Sequence, residues 1–256
     1  MIKDLFGFKD KLRRGETVLG TFSKTSDPAF IEASGYAGFD YVILDMEHGP
    51  SNVAMLQNLI RAAEITGMIP IVRVPFETVS DMGRVLDIGA GGVQIPQICN
   101  ARQARMAVEV SKFSPLGNRG VCRFVRAAKY SVTDRYEYFK NADEALVILQ
   151  LEGREAIENL DEILEVRGID VIFVGPYDLS QSLGVRGQVE HGTVVEKIEE
   201  INARCREKGI ATGVFVDNMA ALEKWKKSGV QYLSYSVDIG LYAERCRELI
   251  EKYRSV

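Results

Sequence analysis

Side chains that usually announce chemistry are scarce in this chain of 256 residues. The four cysteines, Cys99, Cys122, Cys205 and Cys246, lie far apart and form no C-x-x-C pair. That spacing argues against structural zinc, and free thiols in a reducing cytoplasm are the expected state. Histidine is scarcer still, with only His48 and His191. There is no basic tract: 32 Lys and Arg stand against 36 acids, for a net charge of −4, and the two signs alternate at helical spacing. Nucleic acid is therefore excluded as the main partner. No apolar stretch reaches the about 20 residues needed to cross a bilayer. The opening Met1-Ile-Lys-Asp-Leu-Phe-Gly-Phe mixes charge into its apolar residues and lacks a signal-peptide core. These absences give the expectation of a soluble cytoplasmic protein with no membrane partner. No repeat, low-complexity tract or shift in composition divides the chain, so residues 1–256 are expected to form one domain.

Short β-rich runs alternate with amphipathic helical patterns from end to end. The strand-like segments are Val18–Ser23, Tyr41–Met46, Ile69–Val74, Gly92–Pro96, Ala145–Leu151, Val171–Val174, Ile210–Val216 and Gln231–Val237. Several are unbroken runs of Val, Ile, Leu and Phe, as expected of parallel strands buried on both faces. Asp27-Pro28 and Ser51-Asn52 each supply a helix start. Further helical patterns cover Val79–Leu86, Ala101–Lys112 after Asn100, Glu155–Val166 and Thr193–Lys208. Eight strands alternating with about eight helices predict a single-domain α/β fold, the (β/α)8 TIM barrel. A doubly wound open sheet is the alternative, weakened because no G-x-G-x-x-G follows the first strand. Ser114–Thr133 and Leu183–Gly192 exceed ordinary connections and read as lids or subunit contacts at the C-terminal side of the strands.

Two apolar runs end in a carboxylate, Ala145-Leu-Val-Ile-Leu-Gln-Leu-Glu152 and Val171-Ile-Phe-Val-Gly-Pro-Tyr-Asp178. On parallel strands of one barrel, Glu152 and Asp178 converge at the C-terminal face, where such folds keep their chemistry. Two acids on an apolar scaffold repel unless a cation sits between them or one stays protonated. With few histidines and no thiol pair, a metal there takes oxygen ligands, which points to Mg2+ or Mn2+, with Co2+ as a further candidate. Gln150 lies two residues before Glu152 and faces the same side of its strand. Either acid alone could instead cap the helix that follows it. Tyr41-Val-Ile-Leu-Asp45-Met-Glu47-His48 runs from a strand into two acids and a histidine. Asp45 could orient the ring or raise its pKa, which suits a general base; the alternative is a hydrogen-bonded turn histidine. Arg73, after Ile69-Pro-Ile-Val, would suit a carboxylate or an enolate oxygen, or would pair with Asp45 or Asp87 to close the barrel mouth. His191 is expected to be solvated. Lys24 is the one lysine placed for a Schiff base, and a rim salt bridge is the preferred reading, so a covalent mechanism is disfavoured.

Taken together, Leu19-Gly-Thr-Phe22, Leu44-Asp-Met-Glu-His48, Val72-Arg73, Leu86-Asp87, Pro115-Leu-Gly-Asn-Arg-Gly120, Gln150-Leu-Glu152 and Gly175-Pro-Tyr-Asp-Leu-Ser180 resemble the class II pyruvate aldolases of the HpcH/HpaI family. The resemblance runs from about Leu19 to Tyr253. It implies a (β/α)8 barrel, assembled as a homo-oligomer, commonly a hexamer built from trimers, with the last helix packed on a neighbouring subunit. It implies a divalent metal on Glu152 and Asp178, His48 as catalytic base oriented by Asp45 and Asp87, and Arg73 stabilising an enolate. Gln150, Gly175, Pro176, Tyr177 and Phe22 would line the substrate pocket, the backbone around Gly175 and Asp178 receiving a carboxylate. The implied reaction is reversible cleavage of a 4-hydroxy-2-oxo acid to pyruvate and an aldehyde. A lyase of the same superfamily acting on a CoA thioester and a non-catalytic barrel that binds oxo acids are the rival readings. Four positions depart from the usual pattern: Phe22 replaces a frequent tryptophan, Met46 a glycine, Gly153 a threonine, and Tyr177 a small residue. These departures bear on substrate size and polarity.

Overall fold

The computed structural model describes residues 5–78 and 80–256. Eight parallel strands close on themselves, each paired with the next and the last with the first. They are β1 (Val18–Ser23), β2 (Tyr41–Asp45), β3 (Ile69–Arg73), β4 (Gly92–Ile95), β5 (Leu146–Leu151), β6 (Val171–Val174), β7 (Ala211–Val216) and β8 (Tyr232–Val237). The expected segments agree with these to within one residue at each end. Both faces of each strand are buried, which is why the sequence runs are unbroken. Outward residues such as Val42, Leu44, Val72, Val147, Leu149, Ile172 and Val214 pack under the helices. Inward residues such as Tyr41, Ile43, Ile69, Ile71, Leu146, Ile148 and Phe173 fill the barrel.

The inward face changes character along the strands. Two residues beyond Ile43, Ile71 and Ile148 come Asp45, Arg73 and Gln150, and β4 adds Gln94. Register sets Asp45 beside Arg73 and Arg73 beside Gln94. All four side chains are buried. The polar layer at the C-terminal mouth is thus a direct consequence of the two-residue period. At the opposite end the helix Leu5–Arg13 stoppers the barrel, burying Leu5, Phe8 and Leu12 against its interior. Phe8 meets Tyr41 and Tyr232 edge-on, and those two rings stack at 4.0 Å between centroids. Gly20 makes room for this stack, since a Cβ there would lie 2.3 Å from the Tyr41 ring.

The expected caps form: Asp27 accepts from the Ala29 amide, Asn52 from Met55 and Asn100 from Gln103. Three expectations need correction. The helix expected over Glu155–Val166 is two, Arg154–Glu158 and Leu160–Leu164. They part at Asn159, whose side-chain amide donates to the Cys99 carbonyl at 2.9 Å and so ties this helix pair to the loop after β4. The helix expected from Val79 begins at Asp81, with Val79 itself outside the described residues. The segment Ser114–Thr133 is not on the C-terminal side. It joins the helix Ala101–Ser111 to β5 and therefore lies at the N-terminal end of the barrel. Leu183–Gly192, which follows the helix Pro176–Ser182 after β6, is at the C-terminal side as expected.

Candidate functional site

Asp45 ends β2 fully inside the barrel mouth. Its carboxylate accepts from Arg73 through Nε at 2.8 Å and Nη2 at 2.7 Å, a two-pronged pair. Lys24 Nζ adds a third contact at 2.8 Å. Burial alone would raise the Asp45 pKa, but Arg73 and then Lys24 outweigh it and hold the group at about 2. The amides of Glu47 and His48 also donate to Asp45 Oδ1, at 3.0 and 3.2 Å. Asp45 therefore fixes the backbone of the turn that carries His48, not the ring: its oxygens are already occupied by the two cations and the two amides. Arg73 lies over the Phe22 ring, 4.9 Å from its centroid, and its Nη1 is 2.9 Å from Glu47 Oε2.

The second half of the mouth is built on β5 and β6. Gln94 donates its amide to Gln150, and Gln150 donates to Glu152 Oε1. The Gln97 amide donates to Glu152 Oε2 at 3.0 Å from a left-handed backbone, φ 58°. A non-glycine residue held there is strained backbone supported by its surroundings, and here it aims an N–H at the acid. Gly175 keeps the approach open, because a Cβ would lie 3.2 Å from Glu152 Oε1. Asp178 stands in the first turn of the helix Pro176–Ser182. Glu152 is pushed up to about 7, first by burial, with the charges of Asp178 and Glu47 adding to it against the hydrogen bonds from Gln150 and Gln97.

Charge at the mouth is unbalanced. Among the described residues, four carboxylates, Asp45, Glu47, Glu152 and Asp178, share two cations, Arg73 and Lys24. Glu47 Oε2 is buried and, although it faces Arg73, makes no hydrogen bond. One divalent cation at Glu152 and Asp178 would neutralise the excess. Among the described residues no cluster of three or more His, Cys, Asp or Glu side chains is placed to enclose a metal. The donor set is thus two carboxylates with room for water or substrate oxygens, which fits a hard cation such as Mg2+ or Mn2+ and not a closed zinc site.

These groups border a cavity of ≈ 210 Å³ lined by Phe22, Lys24, His48, Arg73, Gln150, Phe173, Gly175, Pro176, Tyr177, Asp178, Phe215 and Val237. A larger cavity, ≈ 460 Å³, lies at the N-terminal end of the barrel beside Arg119 and Arg126. Its arginines are already paired with Asp87 and Glu64, so the smaller cavity is the chemical one. The structure gathers His48, Arg73, Gln150, Gly175, Pro176, Tyr177, Phe22 and Asp178 around that space, with Glu152 against Gln150. Asp87 is the exception and requires correction. It ends the helix that leads into β4, so within this chain it sits at the far end of the barrel, 2.6 Å from Arg119 Nη2. Within one chain it therefore does not reach His48. His191, as expected, is exposed; its Nδ1 accepts from the Thr193 amide. Sequence reading did not single out Gln94, Gln97 or Asp217 as parts of the mouth. For Gln94 a signal existed, since it lies on a strand otherwise apolar and in register with Arg73. For Gln97 and Asp217, both in loops, there was none.

The model of the HpcH/HpaI aldolase/citrate lyase family matches residues 19–244. A 2-keto-3-deoxy-L-rhamnonate aldolase of Salmonella gallinarum is 36% identical over 251 residues, which is 97% of this chain and 93% of that protein. A solved HpcH/HpaI aldolase/citrate lyase family protein from Burkholderia cenocepacia superimposes with a TM-score of 0.91 at 30% identity, covering 97% of this chain and 99% of the other. An HpcH/HpaI aldolase from Desulfitobacterium hafniense gives 0.90 at 31% identity, covering 97% and 96%. The match runs from β1 into the helix after β8 and so takes in every strand that supplies the mouth. The chain belongs to the HpcH/HpaI aldolase/citrate lyase family.

Proposed function

We propose that this barrel is a class II, divalent-metal-dependent lyase that reversibly cleaves a 4-hydroxy-2-oxo acid to pyruvate and an aldehyde. The observation that carries the reading is the surplus of carboxylate at the mouth, set against one buried arginine that opens onto the same cavity. Glu152 and Asp178 would hold the cation. Bound there, it supplies Lewis-acid polarisation of the 2-oxo group and stabilises negative charge as the carbon–carbon bond breaks. Arg73 has five N–H donors, two of them committed to Asp45. Its remaining donors can meet the enolate oxygen of pyruvate without reorganising, because Asp45 has already fixed the plane of the guanidinium. His48, exposed at the cavity rim, takes the proton of the C4 hydroxyl as the C3–C4 bond breaks and the aldehyde forms. The bond pair passes to C3 and is then protonated there. Gln150 is held by Gln94 and Glu152 and lies on the pyruvate side, and Gly175 leaves space for the substrate carboxylate.

The test is pyruvate release from 4-hydroxy-2-oxo acids, titrated with Mn2+ at several pH values. Glu152 must be ionised to hold the cation, and its proton leaves at about 7. The proton therefore competes below that point and not above it. The half-saturating Mn2+ concentration should be flat above neutrality and rise by about tenfold per pH unit below it. Full activity in excess chelator, or a lysine adduct trapped by borohydride, would overturn the scheme.

We further propose a homo-oligomer. The helix Asp238–Arg254 buries only Asp238, and Ile239, Tyr242, Leu249, Ile250 and Tyr253 are exposed along it. An apolar face of this length is normally covered. A hexamer built from trimers is the expected form, and light scattering coupled to size exclusion checks it; a monomeric mass at micromolar concentration would refute it. The free thiols and the lack, among the described residues, of any helix long and apolar enough to cross a membrane support a cytoplasmic setting.

A further inference from the structure

One wall of the catalytic cavity is made by a side chain that the proposed chemistry does not need. Tyr177 directly precedes Asp178 and is nearly half exposed. Its ring stands edge-on to Phe215, 6.3 Å between centroids, and its hydroxyl donates to Asp217 in the loop after β7. Behind the ring lies a second cavity of ≈ 360 Å³. Pro176, Tyr177 and Phe215 line both spaces, so these residues form the partition between them. The far space is walled mainly by apolar residues, among them Val195, Ile198, Ala220 and Trp225, with Glu190 and Lys224 also in its lining.

Substrate geometry decides which end of the molecule meets this wall. On the aldolase reading, which this inference rests on, the oxo-acid end is committed to Glu152, Asp178 and Arg73. The end that becomes the aldehyde must extend away from them, along a wall to which Tyr177 and Phe215 contribute. We propose that Tyr177, positioned by Asp217, sets the length of the aldehyde: in place it confines the site to short aldehydes, and without it the tail enters an apolar subsite behind. Asp217 touches no reacting atom; it acts through Tyr177.

The test is the aldol addition of pyruvate to a series from acetaldehyde to hexanal, read as the ratio of kcat/KM for hexanal over acetaldehyde. Tyr177→Ala should raise that ratio by on the order of tenfold or more, mostly through a lower KM for hexanal, since buried methylenes discriminate on this scale. Tyr177→Phe and Asp217→Ala remove only the anchoring hydrogen bond and should move the ratio in the same direction by less. Adding Ala220→Phe to Tyr177→Ala refills the second space and should cancel the gain. Exchange of the pyruvate methyl protons in D2O by the unaltered protein needs no aldehyde and reports on the aldolase reading by itself. Absent exchange overturns that reading. Exchange with a ratio unmoved in Tyr177→Ala, or a gain that survives Ala220→Phe, overturns the partition alone. If Tyr177→Ala fails to fold, an unmoved ratio in both Tyr177→Phe and Asp217→Ala does the same.

Discussion

Glu152→Gln is expected to lower metal-dependent pyruvate release by on the order of 10³-fold, the scale of losing the group that stabilises developing charge. The substitution keeps shape and removes the charge that binds the cation. It also leaves a donor problem, because Gln150 and the Gln97 amide each donate to a Glu152 oxygen and an amide offers only one oxygen. Asp178→Asn should give a loss of similar size. Stability without metal moves the other way. Glu152 is an acid whose folded pKa is raised from 4.5 to about 7, so the unfolded chain gives up this proton first. Metal-free wild type therefore loses stability as pH rises across that window, whereas Glu152→Gln does not. Thermal melts in chelator at several pH values should show the two curves diverging toward neutrality, with Mn2+ at pH 8 raising the melting temperature of wild type only. Metal-stimulated turnover surviving in both Glu152→Gln and Asp178→Asn would place the cation elsewhere.

The strands were legible because the barrel buries both of their faces, and a run such as Val171–Val174 needs no partner to be recognised. The same reasoning carried Glu152 and Asp178 to the mouth: residues that follow a parallel strand lie at its C-terminal end. Applied to Asp87 and to Ser114–Thr133, which precede β4 and β5, that rule places both at the opposite end, where the structure has them. The placement of Ser114–Thr133 failed for want of chain direction, whereas the role for Asp87 came from the family resemblance and not from its position within one chain. Other features had no local signature. The Lys24 to Asp45 contact was anticipated only as a rim salt bridge without a named partner, and its partner lies on another strand. The left-handed Gln97 sits where no glycine or asparagine marks it. The Tyr177 to Asp217 bond joins two loops whose spacing in the chain carries no pattern. The helix Leu5–Arg13 went unread because its apolar residues acquire meaning only against the barrel floor.

Asp45→Ala is expected to destabilise the fold and disable the site together. Asp45 is 1% exposed and serves Arg73 through two hydrogen bonds, Lys24 through one and the Glu47 and His48 amides through one each. Truncation leaves a buried guanidinium without its main counter-charge, a loss of about 3–5 kcal/mol for breaking a buried pair. For a chain of this size that corresponds to a fall of about 10 °C in melting temperature. The pH dependence of wild type carries the same information. Asp45 is held at about 2 against an ordinary 3.8, so its contribution is complete above the ordinary value and is lost as pH falls from 3.8 toward 2. That contribution is worth about 2 kcal/mol, and Asp45→Ala should lack this part of the acid limb. Turnover should fall by on the order of 10²-fold or more, because Arg73 and the turn carrying His48 both lose their fixed placement. Glu47 and Glu152 already attract Arg73, and a guanidinium freed from Asp45 should swing toward them and compete with the cation. The half-saturating Mn2+ concentration should consequently rise in Asp45→Ala, a change that simple loss of stability would not produce. An unchanged metal requirement, with melting lowered by less than about 2 °C, would mean that Asp45 neither holds Arg73 in place nor keeps it off the metal acids.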